Sequence, residues 1–208
     1  MAKSVSERFF KPTMIDLIFG PSVASSAVFI AAAAGATAIA AQFVVPLNPV
    51  PITAQTLVVM VAGLSLGATR AALAMLVYAL LGLSGLPVFS NAQGGSDVLA
   101  GSSGGYIVGY IFAAWLIGAL AERGWNKTFS RAAVAGVLGS IVIYACGMVG
   151  IARVLTEAGR DFSAAYIFDI GFAPFIVGAL IKVTIAAALL SFTWKAVLQR
   201  RPRAAEFV

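Results

Sequence analysis

Residues 172–194 read Phe172-Ala-Pro-Phe-Ile-Val-Gly-Ala-Leu-Ile-Lys182-Val-Thr-Ile-Ala-Ala-Ala-Leu-Leu-Ser-Phe-Thr-Trp194, an apolar run with one cation near its middle. The run is long enough to cross the hydrocarbon of a bilayer as a helix. A cation at that depth costs about 2.5–3.5 kcal/mol on insertion scales unless a partner or water reaches it. Lys182 therefore marks a candidate polar site inside a membrane protein. The alternative is a lysine whose stem snorkels to the interface. Lys182 lies eight residues beyond Pro174, roughly 12 Å along a helix, a distance the stem covers only in part.

The whole chain follows the same pattern. Its 208 residues are 61% hydrophobic and 11% charged, with a mean hydropathy of +0.97, a balance unlike that of a soluble or a disordered chain. The net charge of +6 is scattered in short gaps between apolar runs, which favours membrane topology over nucleic-acid binding. There is one cysteine, Cys146, and no histidine. This rules out a disulfide framework and a thiol cluster, and it removes Ser-His triads and most metal hydrolase sites. No glycine precedes a lysine, so the chain carries no P-loop. Lys3, Arg8 and Lys11 precede an apolar stretch over 23–45 that is about twice the length of a signal-peptide core, and it reads as a retained first span.

Six spans fit, at about 23–45, 52–69, 71–87, 105–121, 132–152 and 170–195. Several approach the lower limit of about 17 residues. Residues 1–22 read as a cytoplasmic or interfacial segment, with 9–19 lying along the headgroups, and residues 196–208 as a basic tail. Lys3, Arg8, Lys11, Arg70, Arg123, Lys127, Arg131, Lys195, Arg200, Arg201 and Arg203 fall in alternate gaps, whereas the gaps between them are not basic. Both termini are thereby expected in the cytoplasm, with an even number of spans. The expected fold is an all-α integral membrane bundle, a single unit over residues 1–208.

Within the first span, Ala27, Ala31 and Gly35, and Ala32, Ala36 and Ala40, recur at a spacing of four and make a smooth face for close helix packing. Packing within the bundle and docking of a partner are both open for this face. The first outer gap, Val44 to Thr56, contains Pro46, Pro49 and Pro51, which stop a helix and stiffen the loop. Thr53 or Thr56 suits a helix cap, whereas Gln55 sits one turn into an apolar span and needs another use. The gap 87–106 is glycine-rich but also holds Phe89, Asn91, Gln93 and Tyr106. A linker needs none of these. A lid does, with glycines such as Gly104 and Gly105 letting backbone approach a ligand, amides pairing with it and aromatics covering it.

Pro49 to Phe89 (PVPITAQTLVVMVAGLSLGATRAALAMLVYALLGLSGLPVF) and Gly101 to Trp125 (GSSGGYIVGYIFAAWLIGALAERGW) together resemble the BioY family. The similarity covers roughly residues 45–125 and returns at Pro174 to Ala188. It implies a six-helix S-component fold in a bacterial cell membrane. It implies capture of biotin near the outer face for import, with no cofactor and no catalysis, and docking on a transmembrane coupling protein driven by two ABC-type ATPases. Whether the chain moves substrate alone as an oligomer stays open. On this reading Asn91 and Gln55 make polar contacts with the ligand, Phe89 and Tyr106 form walls, Lys182 supplies charge for the carboxylate, and Ala32 and Ala36 face the coupling protein. One departure stands out. The last helix of the family commonly reads P-x-x-x-G-D-x-x-K, and here Ala179 stands where the acid is expected. An S component for another small vitamin and an intramembrane enzyme are the rival readings. The enzyme is short of acid–base partners, with Asp169 the only acid near a late span.

Overall fold

The computed structural model describes residues 13–20 and 22–200, with side chains through residue 197. The bases at Lys3, Arg8, Lys11, Arg201 and Arg203, and the greater part of both terminal segments, lie outside the described residues.

Thr13 opens the short helix α1 (Met14–Phe19), its N–H donating to Asp16 Oδ2 at 2.8 Å. Ser22 caps α2 (Val23–Ala40) by accepting from the Ser25 N–H. The first apolar run does not stay helical to residue 45. α2 ends at Ala40, and β1 (Val44–Val45) pairs antiparallel with β2 (Ile52–Thr53), closing the proline-rich loop into a small hairpin. With three prolines between them, the strands take extended backbone where a helix would need N–H donors that proline lacks.

Helix α3 (Gln55–Leu66) and helix α4 (Ala68–Leu83) meet at Gly67. Its φ of +82° disfavours any residue with a Cβ, and a Cβ there would press on Thr13 and Glu122. At about 18 and 24 Å these two helices are shorter than the hydrocarbon is thick. Four helices are long and apolar enough to cross it: α2, α6 (Gly104–Glu122), α7 (Phe129–Glu157) and the segment Ala164–Val197. That last segment consists of α8 (Ala164–Gly171), a break with a 3₁₀ turn at Ala173–Phe175, and α9 (Ile176–Arg200). Between α4 and α6 run a 3₁₀ turn at Ser90–Ala92 and the short helix α5 (Ser96–Ala100).

Helix α6 stands at the centre, against α3, α4 and α7, while α9 closes on α7 and α3. Its approach to α7 requires glycine: a Cβ on Gly105 would collide with the Cys146 carbonyl and with Gly150. Small residues thus let the two backbones nearly touch, as helices in lipid do. The interior divides into an aromatic half around Tyr78, Phe89, Tyr106 and Tyr144 and an aliphatic half around Met60, Leu64 and Ile117. Val28, Ile39, Phe112, Trp115, Val149, Val177 and Phe192 are all more than half exposed. An outer surface of that kind suits lipid, not water.

In the first turn of α1, Arg70 donates to both Asp16 oxygens, at 2.7 and 2.9 Å, and further to Ser26 and Thr13. This pair ties α1, α2 and α4 together. Burial alone raises the Asp16 carboxyl, but the Arg70 guanidinium and the Thr13 N–H outweigh it and hold Asp16 below the usual carboxylate range.

Candidate functional site

The hairpin β1–β2 delivers Thr53, Gln55 and Thr56 to the inner end of the aromatic half. Thr53 Oγ donates to Gln55 Oε1 at 2.8 Å, and Gln55 Nε2 donates to the Tyr78 hydroxyl at 2.6 Å. Tyr78 in turn donates to the Val88 carbonyl at 3.2 Å. A chain of hydrogen bonds so runs from the proline-rich loop before α3 through α4 to the loop that follows α4. All of its side chains are buried, and each bond weighs more there than it would in water.

Lys182 reaches this cluster from α9. Its Nζ donates to the Thr53 carbonyl at 2.6 Å and to Thr56 Oγ at 3.0 Å. Among the described residues no carboxylate lies within ion-pair distance of Nζ. The ammonium is therefore solvated by neutral oxygens, and among the described residues the third of its three N–H donors has no acceptor. The threonines do more here than cap a helix: both serve the lysine. Ala179, one turn before Lys182, is buried and lines a separate apolar side cleft with Tyr144, Phe172 and Val183.

Four aromatic rings enclose the space above. Tyr106 and Tyr144 meet edge-on with centroids 6.4 Å apart, and Phe175 lies 5.7 Å from the first and 5.5 Å from the second. Tyr110 completes the wall. Tyr106 also donates from its hydroxyl to the Gly171 carbonyl at 2.7 Å, at the break between α8 and α9. It thereby fixes the helix that carries Lys182, and Gly147 leaves room for its ring. On the opposite side Phe89, 1% exposed, packs edge-on to Tyr78 at 5.5 Å, in the space that Gly82 leaves free. The walls leave a central cavity of about 30 Å³, room for a water or two. A ring-sized guest enters only if a wall moves.

The structure brings Gln55, Phe89, Tyr106 and Lys182 to one crevice. It does not bring Asn91, Gly104 or Gly105 there. Asn91 is exposed, in a turn where φ is +58°. Gly104 begins α6, where a Cβ would strike the Leu99 carbonyl, and Gly105 faces α7. These glycines allow close approach of protein backbone to protein backbone, not to a guest. Ala32 and Ala36 are exposed on α2, and among the described residues nothing buries them, whereas Ala40 at the end of the same row is buried. The residues that composition did not point to are Tyr78, Tyr110, Tyr144 and Phe175. Their signal was present: three of them are tyrosines within apolar helices, where each hydroxyl needs a partner.

The family profile described as the BioY family matches residues 11–199. A protein named biotin transporter BioY from Thermotoga maritima is 41% identical over 145 residues, which span 70% of this chain and 81% of that protein. The biotin transporter BioY of Rhizobium etli is 42% identical over 148 residues, 68% of this chain and 76% of the relative. That of Rhodobacter capsulatus is 35% identical over 160 residues, 74% and 82% of the two chains. Among solved structures, the S component for biotin from an ECF-type ABC transporter superposes with a TM-score of 0.72, covering 83% of this chain and 92% of that one. At 22% identity this likeness speaks to the fold.

Proposed function

The chain belongs to the BioY family, and from that premise we propose that it is the biotin-binding S component of an energy-coupling-factor transporter, a capture protein and not an enzyme. One observation carries the assignment to the crevice: a lysine ammonium, solvated by neutral oxygens and with a donor to spare, stands at the inner end of an aromatic-walled space. Biotin is complementary to it. Its fused rings suit apolar and aromatic walls, its ureido group suits the Gln55–Tyr78 chain, and its carboxylate suits Lys182.

The site's position supports outward-facing capture. The crevice is bordered by the gaps at 44–53 and 88–104, which supply Thr53 and Phe89 and carry no Lys or Arg, whereas Arg70, Arg123, Lys127 and Arg131 sit in the alternate gaps. By the excess of bases on the cytoplasmic side, the crevice opens outward and both termini lie inside a bacterial cell membrane crossed six times by one unit, with the short α3 and α4 as the second and third spans. The exposed face of α2 at Ala32 and Ala36 is the surface we assign to the coupling protein, which two ABC-type ATPases drive.

Purified chain in detergent should retain labelled biotin, and from a panel of labelled vitamins it should retain biotin alone. Retention of another vitamin in place of biotin would keep the fold and replace the substrate.

A further inference from the structure

A second cleft, of about 200 Å³, opens between α1, the turn that joins α6 to α7, and the later part of α9. It is remote from the crevice: Trp194 lies twelve residues beyond Lys182 on α9, roughly 18 Å along the helix. Two buried polar groups line this cleft without partners. Asn126, in a 3₁₀ turn at Trp125–Lys127, is 4% exposed; its Nδ2 donates to the Leu64 carbonyl at 2.8 Å, but among the described residues nothing donates to its Oδ1. The Leu64 bond fixes the amide, since a flipped one would set oxygen against oxygen. Trp194 is 7% exposed, and its indole N–H has no acceptor among the described residues. Polar groups at such burial are costly to leave unmet, and one acceptor and one donor orphaned at the same cleft call for a bound molecule that supplies both bonds.

Charge of both signs borders the orphans. Lys127 is exposed, with Nζ 5.4 Å from the centre of the Trp194 ring. Glu122 also lines the cleft, its Oε1 accepting from the Ala68 N–H at 2.9 Å, and a carboxylate has acceptor sites for further donors. A guest must therefore offer acceptors to Lys127 and the indole N–H, and N–H donors to Asn126 Oδ1 and Glu122. One bridging water would meet the two orphans, but the cleft is several times the volume of about 30 Å³ that a water takes in the liquid. Its lining is also partly apolar, through Met14 and Leu17. Leu17 is 42% exposed, and Ile18 and Phe19, which follow it on α1, are exposed as well. The polar cleft thus continues onto an interfacial helix whose outer surface suits acyl chains. Tryptophan at the end of a membrane helix marks the same headgroup level.

We propose that this cleft binds the headgroup of a phospholipid that carries a primary ammonium, a phosphatidylethanolamine, in the leaflet on the side of the basic gaps. Its phosphate accepts from Lys127 and from the Trp194 indole N–H, and its ammonium donates to Asn126 Oδ1 and to the Glu122 carboxylate. A choline headgroup has no N–H for Asn126 Oδ1. A purely anionic headgroup satisfies Lys127 but sets a negative charge near Glu122 with no cation to offset it. The crevice takes no part in this site.

Native mass spectrometry of the purified full chain, released from nanodiscs holding equal amounts of phosphatidylethanolamine, phosphatidylcholine and phosphatidylglycerol, reads the choice. Wild type should retain one phosphatidylethanolamine, preferred over either competitor by about tenfold, equivalent to 1.4 kcal/mol. Trp194→Phe keeps an aromatic ring beside Lys127 and deletes the N–H donor, and Lys127→Met deletes the cation at an exposed position. Each should bring the ethanolamine lipid towards equal retention with the choline lipid. Equal retention of all three lipids by the wild type, or a preference kept intact in both variants, overturns the site. Retention of phosphatidylglycerol in place of phosphatidylethanolamine overturns the ammonium pairing. A wild type that retains no lipid leaves the cleft to water or to the chain's own segments and overturns the proposal as well. Glycerophosphoethanolamine, the same headgroup without acyl chains, should not displace the lipid at equal concentration; displacement would make the ligand a soluble molecule and refute the lipid. If Trp194→Phe does not fold, Lys127→Met decides alone, because its side chain is exposed.

Discussion

Lys182→Met removes the ammonium from the crevice and keeps most of the apolar stem. The structure sets the size of the expected effect. Two of the three N–H donors are taken by Thr53 and Thr56, leaving one for a guest carboxylate. A hydrogen bond to a charged group contributes about 1.5–3 kcal/mol, so the variant should bind biotin roughly ten- to a hundredfold more weakly. The substitution also leaves the Thr53 carbonyl without its lysine donor. That cost falls on free and bound protein alike and largely cancels from the affinity. An uncharged guest separates charge from shape: biotin methyl ester, which never gained the ion pair, should lose less than about threefold. Equilibrium binding of acid and ester to wild type and variant completes the cycle. Equal losses for the two guests would refute a direct charge role for Lys182 and return the residue to packing.

Three other substitutions test separate parts of the structure. Gly105→Val drives a side chain into the α7 backbone at Cys146 and Gly150; it should lower the melting temperature and the folded yield, at about 1–3 kcal/mol for overpacking, while the folded fraction keeps its biotin affinity. Asp16→Asn should cost about 3 kcal/mol in detergent unfolding, the low end for breaking a buried pair, because Ser26 and Thr13 still accept from Arg70. Its pH signature has a definite sign: with the folded pKa depressed, the stabilisation is complete above the free carboxylate range near 4 and fades as pH falls through the lowered value. Wild type should lose stability there and Asp16→Asn should not. Ala36→Leu, on an exposed face, should leave folding and biotin retention unchanged while recovery of the complex with coupling protein and ATPases drops about tenfold; undiminished recovery would remove that face from docking.

The apolar runs, the punctuating prolines and the isolated lysine were legible in sequence because lipid imposes them directly: each is a property of one helix in one solvent. What sequence could not supply was convergence. Lys182 finds its oxygens 126 and 129 positions away, at Thr56 and Thr53, and no periodicity links them. Gly104 and Gly105 show the opposite error. A glycine-rich loop beside aromatics suggests approach to a ligand, but α6 begins inside the run and spends those glycines on its neighbours. Asn91 was legible as a polar group in a lid, whereas its left-handed turn, which directs it outward, is held by Gln42 Oε1 accepting from the Ala92 N–H, 50 residues downstream.

The missing acid at Ala179 gains its meaning from the same convergence. A carboxylate beside Lys182 would neutralise the ammonium, and the crevice would present a closed pair to its guest. Here the partners are a carbonyl and a hydroxyl, which solvate the cation without cancelling it. In a low-dielectric interior an uncancelled charge acts more strongly on an incoming anion than it would in water. The neutral cage that keeps Lys182 tolerable within the membrane is thus also what leaves it attractive to a carboxylate. For that reason the contrast between biotin and its ester, more than the affinity of either alone, measures what Ala179, Thr53 and Thr56 do together.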